Sequence, residues 1–539
     1  MSELYKQGQD RNQQLLFPPS IDDYVDKDNS VRAIDDYVEI LDIGKLEFVN
    51  TRKSNRVDGQ KSYSPKLLLK IYIYGYLNKI RSSRMLEKEC KRNIELLWLT
   101  QGLIPTYRTI SQFRADNPKA LKQVFKEFVL LCKNIDLIGD GLKALDGAFL
   151  RANASKNQLI MKKTLDKDLS KLDEEIHNYL ATLEFQDKEK QPLSIINNLP
   201  KDLRKLKHQQ KELSDNLKLL ESMGKTQFNS TDPDASLMVK PAHNLMAYNS
   251  QIVVDSTFKF IVATDTFSKG NDAEYLYTMA QQTKENLELT KDDSLDMVAD
   301  TGYYSAKEFK KCNEDNINAI VPEANKQQVQ KDKGKFTREE FKYNKEKDCY
   351  ICPNNQELKR RVAPQIKNGK INFIYAGASA VCKSCPLKDK CIPTQTPYKQ
   401  LYRWENEHII EEHQQKMKTK EAKEIVKKRG SIVEHPFGTI KRSLGWDHFL
   451  VRGKEKVSGE NALIMFTYNF KRMLNLIGIT LFKKLIIAIK EGDLTQIIKD
   501  IEEYILLFSL FSGYFLYLSF CGRILSEKLR IKSEINFQI

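Results

Sequence analysis

The sequence predicts an α/β fold: a mixed-direction sheet preceded by an all-helical segment and interrupted by two insertions. Three observations predict it. Residues 15 to about 140 carry helical patterning, short apolar runs of strand length begin at Lys143, and further runs then alternate with helical stretches. That order belongs to an α/β sheet rather than to a bundle or a sandwich. The length agrees, since 539 residues make roughly three or four structural units.

In the N-terminal segment, Pro65 stands near a helix start, and Lys66 to Leu77 is apolar on several faces. A second helix is expected around Met85 to Leu99. After Pro105, a turn delivers a short helix bearing Arg108, Thr109, Ser111, Gln112 and Arg114. Those residue types suit a recognition helix, with hydroxyls and amides for phosphates or base edges and arginines for phosphate or guanine. A bundle with a polar face accounts for them equally well.

Lys143 to Ala152 is an apolar run broken by Asp146 and Gly147, read as a buried strand. Leu245 to Asp255 and Phe258 to Asp265 form two further strands, with Ser256 and Thr257 between them as a hairpin turn. Ser294 to Asp300 is a fourth candidate, leading through Thr301 and Gly302 into a helix from about Ser305. Asn318 to Pro322 is a fifth.

The first insertion, about 156–225, keeps 3/4 apolar spacing through Leu165, Leu169, Leu172, Ile176 and Leu183, breaks at Pro192 to Pro200, and resumes at Leu203. An antiparallel helical hairpin with a coiled-coil seam follows from that spacing. The second insertion, 324–400, holds five of the nine cysteines. The expected units are therefore 1–140, helical; 141–155, 226–323 and 401–480, the sheet core; 156–225 and 324–400, the insertions; and 481–539, an apolar tail. Within that tail Tyr504 to Gly522 is uncharged, about long enough to span a bilayer. Ser509, Ser512 and Ser519 weigh against a membrane role, leaving a buried helix or an appended tail. Met1 to Gln14 is polar and unlike a secretion signal.

Composition narrows the function classes. Hydrophobic residues at 41% and charged residues at 29% exclude wholesale disorder and a collagen-like repeat. The net charge of +15 points weakly to a polyanionic partner. An odd number of cysteines fits a reducing compartment. Cys352, Cys382, Cys385 and Cys391 offer four thiolates at spacings that suit a ribbon-like zinc site, with Cys349 as an alternate ligand and free thiols as the other reading. His408 and His413 are five apart, about 140° around a helix, so they do not form a zinc-protease pair. No Walker A or G-x-G-x-x-G motif supports nucleotide chemistry.

Three carboxylates stand out. Asp146 interrupts an apolar strand, where a charge is costly unless paired or metal-bound. Asp300 ends another strand, the place where α/β sheets bind ligands. Glu434 sits within residues 423–456, which hold nine Lys and Arg against four Asp and Glu. An acid among cations suits metal ions meeting a phosphodiester.

The text around each acid (Leu145-Asp-Gly, Val298-Ala-Asp-Thr-Gly-Tyr, Val433-Glu-His-Pro-Phe-Gly-Thr-Ile-Lys) resembles the three acidic motifs of bacterial insertion-sequence transposases of the DD-E type. Phe17 to Val25, Val31 to Ile34 and Tyr63 to Leu69 look like that family's helical N-terminal DNA-binding domain. Tyr248-Asn-Ser-Gln, Asn271-Asp and Tyr468-Asn-Phe-Lys-Arg fill further landmarks, so the likeness covers about residues 10–480. Family members also carry a similar cysteine-bearing insertion.

The resemblance implies an RNase H-like core whose Asp146, Asp300 and Glu434 hold two Mg²⁺ ions, with Mn²⁺ as a substitute. It also implies that Lys441, matching a family lysine, holds a phosphate of the element's end. On a continuous helix Lys441 would share the face of Glu434. Related transposases place an arginine four residues before the glutamate; here that position is Gly430, with Arg429 one step earlier. Arg429, Arg442 and Trp446 complete the expected DNA contacts with Arg108 and Arg114, Trp446 being equally well explained as a core residue.

The expected protein is a cytoplasmic DNA transposase, nucleoid-associated when bound. It binds inverted-repeat ends as a homodimer, cleaves them and joins them to target DNA. The alternatives are an inactive transposase-derived DNA-binding protein and a metal-dependent nuclease on the same core.

Overall fold

A computed structural model describes residues 20–49, 62–189, 199–239, 244–323, 332–367, 370–393 and 395–507. Six helices come first: α1 Ser30–Ile40, α2 Pro65–Leu77, α3 Ser83–Arg92, α4 Ile94–Leu99, α5 Tyr107–Asp116 and α6 Pro118–Asn134. Pro65 occupies the first turn of α2, and Leu68 to Tyr76 are all buried, as crowding on several faces demands. The single helix expected over Met85 to Leu99 is two. Asn93 breaks it because its side-chain oxygen accepts the backbone N–H groups of Glu95 (3.0 Å) and Leu96 (3.3 Å), capping α4.

The sheet is built from β1 Lys143–Arg151, β4 Ser236–Val239, β5 Asn244–Asp255, β6 Ile261–Phe267, β7 Leu295–Val298 and β8 Ile317–Ile320. A small ribbon of β2 Leu159–Met161 and β3 Gln227–Asn229 lies apart from it. β5 runs antiparallel to β1, and β6 antiparallel to β5, while β7 is parallel to β1 and β8 parallel to β7. The order β6-β5-β1-β7-β8, three antiparallel strands and then two parallel ones, is RNase H-like. β4 pairs with the opening residues of β5, ahead of β6.

The expected β5–β6 hairpin forms, and its closure has a charge at its root. Asp255 is fully buried, accepts N–H groups from Thr257 (2.8 Å) and Phe258 (3.0 Å), and pairs with buried Lys143 at 3.1 Å. Two carbonyls, of Gly139 and Gly141, take further Lys143 protons, so the buried ammonium is satisfied.

Between β2 and β3, α7 Lys162–Glu189 and α8 Leu199–Ser222 form the first insertion. The ion pair Lys162–Glu221 and the bond from Gln210 to Asp173 fix them as antiparallel. Leu165, Leu220 and Phe228 are buried together at the base. Most of the Pro192 to Pro200 break lies outside the described residues. α9 Leu276–Asn286 and α10 Ala306–Glu314 join β6, β7 and β8.

After β8 comes a second, all-antiparallel sheet: β9 Lys342–Asn344, β10 Cys349–Ile351, β11 Glu357–Arg360, β12 Gln365–Lys367, β13 Lys370–Ala376 and β14 Gln400–Trp404. Its own small core is Phe341, Tyr350, Leu358, Tyr375 and Leu401. Two short helices, α11 Ser379–Lys383 and α12 Lys388–Cys391, carry Cys382 and Cys391, with Cys385 between them.

The chain returns through α13 Glu407–Lys418, α14 Lys420–Gly438 and a π-turn at Thr439–Ser443 to α15 Lys454–Glu491. Every residue from Val457 to Phe470 is buried, because α15 runs between α6 and β6 and must be apolar or paired on all sides. Gly459 allows the approach to α6, since a Cβ there would lie 2.5 Å from Pro118 Cα. Helix continues at 495–507. Among the described residues no helix is long and apolar enough to cross a membrane; most of the uncharged 504–522 run lies outside them.

Candidate active site

The register places the first two acids side by side. Ala144 on β1 pairs with Val298 on β7 in parallel, so Asp146 and Asp300 stand two residues further along neighbouring strands. Asp146 Oδ1 accepts the Gly147 N–H at 2.9 Å. Asp300 Oδ1 accepts the Gly302 N–H at 2.8 Å, capping the turn Thr301–Tyr303 that leaves the sheet. Gly147 has its own reason to be glycine: a Cβ there would lie 2.2 Å from Gln251 Nε2, because the Gln251 amide crosses β1 at that point.

Arg429, on α14, reaches both acids, with Nη1 3.6 Å from Asp146 Oδ1 and Nη2 4.0 Å from Asp300 Oδ2. Burial raises the Asp146 carboxyl above the usual range, Arg429 and the Gly147 N–H pull it down, and Asp300 and Asp272 push it up. Asp272 is thus a third aspartate close to this pair. Asn249 and Gln251 each donate to its Oδ1 at 2.7 Å, while burial raises its carboxyl. A Cβ on Gly302 would lie 3.0 Å from Asp300 Oδ1 and 3.7 Å from Asp272 Oδ2. Buried Tyr303 donates its hydroxyl to Gln251, tying the group to the turn after Asp300.

Asp272 was not singled out in the sequence as a site carboxylate, although Asn271-Asp and Tyr248-Asn-Ser-Gln were marked as landmarks. The signal was available: Asn249 and Gln251, two apart on a strand, point to one face and need a shared acceptor.

Glu434, five residues beyond Arg429 on α14, is exposed. Five residues turn about 140° around an α-helix, so the two side chains leave α14 in different directions. An arginine at position 430 would have shared the face of Glu434 more closely. Among the described residues no group of three or more His, Cys, Asp or Glu closes into a metal-holding arrangement.

The expectation that Lys441 shares the face of Glu434 assumed a continuous α-helix. Instead Pro436 lies near the end of α14, and residues 439–443 wind as a π-turn, which changes the phase. Lys441 Nζ stands 5.3 Å from the Phe437 ring centroid. Arg442 is exposed. Trp446 is 1% exposed and packs 5.4 Å from Tyr76, the core alternative rather than a stacking platform. Arg108 is exposed on α5, its Nε donating to the Tyr107 hydroxyl at 3.3 Å. Arg114, on the same helix, is a correction. It is buried, and its Nη1 donates to the Tyr76 hydroxyl (3.0 Å) and to Glu460 (3.3 Å), so it presents no cation to solvent.

Cys352, Cys382, Cys385 and Cys391 line one cavity with Lys388 and Lys399. Burial raises the Cys391 thiol, Lys399 lowers it, and the other three cysteines raise it further, which places them as its electrostatic neighbours. Cys349 is buried on β10 among Glu357, Lys347 and Asp348 and does not line the cavity.

Comparison with known proteins adds two family matches. Residues 19–116 match a transposase domain (DUF772) and residues 351–474 match a transposase DDE domain. No curated protein matches. Among solved structures, the chain is similar to the piggyBac transposase synaptic complex with hairpin DNA at 9% identity and a TM-score of 0.26, over 91% of this chain and 80% of that one. A superposition that loose carries no argument about the site. The two family matches show that these two stretches of the chain are similar to transposase domains; Arg429 and Glu434 fall within the second, while Asp146 and Asp300 lie outside both.

Proposed function

We propose that the chain is a DNA transposase that binds the inverted-repeat ends of its own element, cleaves them and transfers the strands into target DNA. One observation carries this reading: Asp146 within β1 and Asp300 just past the end of neighbouring β7 stand side by side on an RNase H-like sheet, with a helix of the DDE-matching segment bringing Arg429 to both. The donor set fits a hard divalent cation. Asp146 and Asp300 already hold a cationic group between them, and carboxylate oxygens are what Mg²⁺ or Mn²⁺ takes. Asp146 and Asp300 would hold two such ions, with Glu434 as the third carboxylate once its side chain turns inward. Bound there, the ions supply a nucleophile at neutral pH and charge stabilisation at the phosphodiester. Arg429, released from the aspartates, would meet a phosphate, and exposed Arg442 and half-buried Lys441 extend that basic edge. Exposed Arg108 stays a candidate contact for the element's end, and two ends brought together imply a homodimer on DNA, with the α7–α8 hairpin aiding assembly.

The position of Glu434 favours a second reading, a DNA-binding descendant without activity. The test is a strand-transfer assay in Mg²⁺ with a pre-cut end bearing a 3′-hydroxyl and a target plasmid. Joined product is expected. Retention of end DNA with no cleavage and no joining would establish the inactive descendant, and cleavage without joining a plain nuclease.

Cys352, Cys382, Cys385 and Cys391 we assign to a structural zinc ion, for which four thiolates around one cavity are suitable donors. Metal analysis of the purified chain should find about one zinc per chain. Cys385→Ser should lose it and Cys349→Ser retain it. A ratio near zero in the wild type removes the assignment.

A further inference from the structure

The chain's positive charge is unevenly placed, and the placement does not follow the helices expected to read DNA. Residues 324–400 hold 17 Lys and Arg against seven Asp and Glu, a net of +10 in a chain whose total is +15. Residues 1–140 hold 23 against 19, a net of +4. What the cations are doing sharpens the contrast. In the N-terminal helices, Arg32, Lys66, Lys70, Lys91 and Arg92 are in ion pairs with carboxylates of the same segment, and Arg81 and Arg114 with buried Glu460 of α15. In the cysteine-bearing sheet two ion pairs join carboxylates to cations, Asp348 to Arg360 and Glu357 to Lys347, and most of its cations are in neither. Lys342, Lys345, Lys359, Lys383 and Lys390 are exposed, and none of these five makes an ion pair among the described residues.

We propose that this sheet is a DNA-backbone-binding surface of the chain, and that it contributes more of the electrostatic attraction for DNA than α1–α6 do. Solvated lysines in ion pairs release little on meeting DNA; unpaired ones displace condensed counterions, the term that dominates sequence-independent affinity. The surface is tied to the catalytic region, since Arg338 pairs with Glu407 at 2.8 Å and Arg403 with Glu411, both glutamates on α13, the helix before the one bearing Arg429 and Glu434. A duplex held by the sheet would therefore lie beside the acids. The proposal rests on the transposase reading, which supplies DNA as the ligand.

The test compares three full-length proteins on a random-sequence 30-base-pair duplex across a salt series. One variant carries Lys→Gln at positions 342, 345, 359, 383 and 390. The other carries Gln at five exposed cations of the N-terminal helices, Lys79, Arg84, Lys88, Arg108 and Lys119. Far-UV spectra and melting confirm that each is folded; a set that unfolds is replaced by its single substitutions, read the same way. The sheet variant should lose roughly tenfold or more in affinity at 0.1 M salt, and its log–log salt slope should flatten by about 3, near 0.9 per phosphate contact. The helix variant should change by less on both counts. An equal or larger loss in the helix variant overturns the proposal. So does unchanged DNA binding in the sheet variant accompanied by lost self-association, which would make the sheet a protein contact. A wild type that binds no duplex at any salt defeats the transposase reading itself, a different result.

Discussion

Asp146→Asn should reduce end cleavage on the order of 10³-fold or more while leaving the protein as stable as the wild type or slightly more so. The two halves of that result have separate causes. The loss follows from the chemistry, because an amide cannot take the place of an anionic oxygen beside a divalent cation. The retained stability follows from the surroundings. Asp146 sits in a strand between apolar neighbours, burial disfavours its charged form, and its nearest cation, Arg429, stands off at 3.6 Å rather than in hydrogen-bond contact. An isosteric neutral side chain gives up a weak ion pair and escapes a desolvation cost, the usual trade at a functional acid. End cleavage in Mg²⁺ measured beside thermal melting checks both. If Asp146→Asn melts well below the wild type, the carboxylate is a structural group and its assignment to the chemistry fails. Asp300→Asn, more exposed and two residues beyond the β7 pairing, should lose activity similarly with an even smaller change in melting.

That pair of acids was legible in the sequence because cost made it so. A carboxylate in an apolar strand, and another where a strand runs into Thr-Gly, need reasons, and both lie where strand register brings them together. The β5–β6 hairpin was legible for a similar reason, with alternating runs on either side of Ser256 and Thr257. What the sequence hid were choices among equally good local solutions. Asn93 fits a helix interior or a cap, and only the turn of the chain toward α5 makes it a cap. Lys441 follows Glu434 at helical spacing, but spacing does not report where α-winding passes into a π-turn. Asp272 needed two strand amides to show its place, residues that read as ordinary polar strand positions until β1 and β5 are laid side by side. Spacing leaves Cys349 as an alternate for one of four zinc-ligand positions, and tertiary structure places it outside the cavity that the other four line.

Arg114 shows the same ambiguity with the largest energetic consequence. An arginine on a short polar helix reads as a DNA contact, yet its guanidinium is enclosed with that of Arg81 around Glu460, which is fully buried on α15. Glu460 Oε1 accepts from Tyr76 (2.8 Å), Arg81 (3.0 Å) and Arg114 (3.3 Å), while Oε2 accepts the backbone N–H groups of Leu450 (2.8 Å) and Val451 (3.2 Å). These contacts, together with burial that they outweigh, hold its carboxyl below the usual range. One anion thus serves two cations, and Arg81 Nε and Nη1 and Arg114 Nε remain buried without hydrogen-bond partners. Glu460→Gln leaves two enclosed guanidinium groups facing a neutral amide, so the cost should be that of breaking a buried ion pair, about 3–5 kcal/mol. The signature should be local as well as global. Melting should fall by several degrees, and limited proteolysis should open the N-terminal helices first, because α2 and α5 are joined to α15 through this cluster. Replacing all three charges with apolar residues (Arg81→Met, Arg114→Leu and Glu460→Met) should recover much of the loss, since the penalty lies in unpaired charge rather than in missing charge. A Glu460→Gln protein that melts with the wild type would mean the cluster is open to water. Arg114 would then be available to DNA, as the sequence of α5 alone suggests.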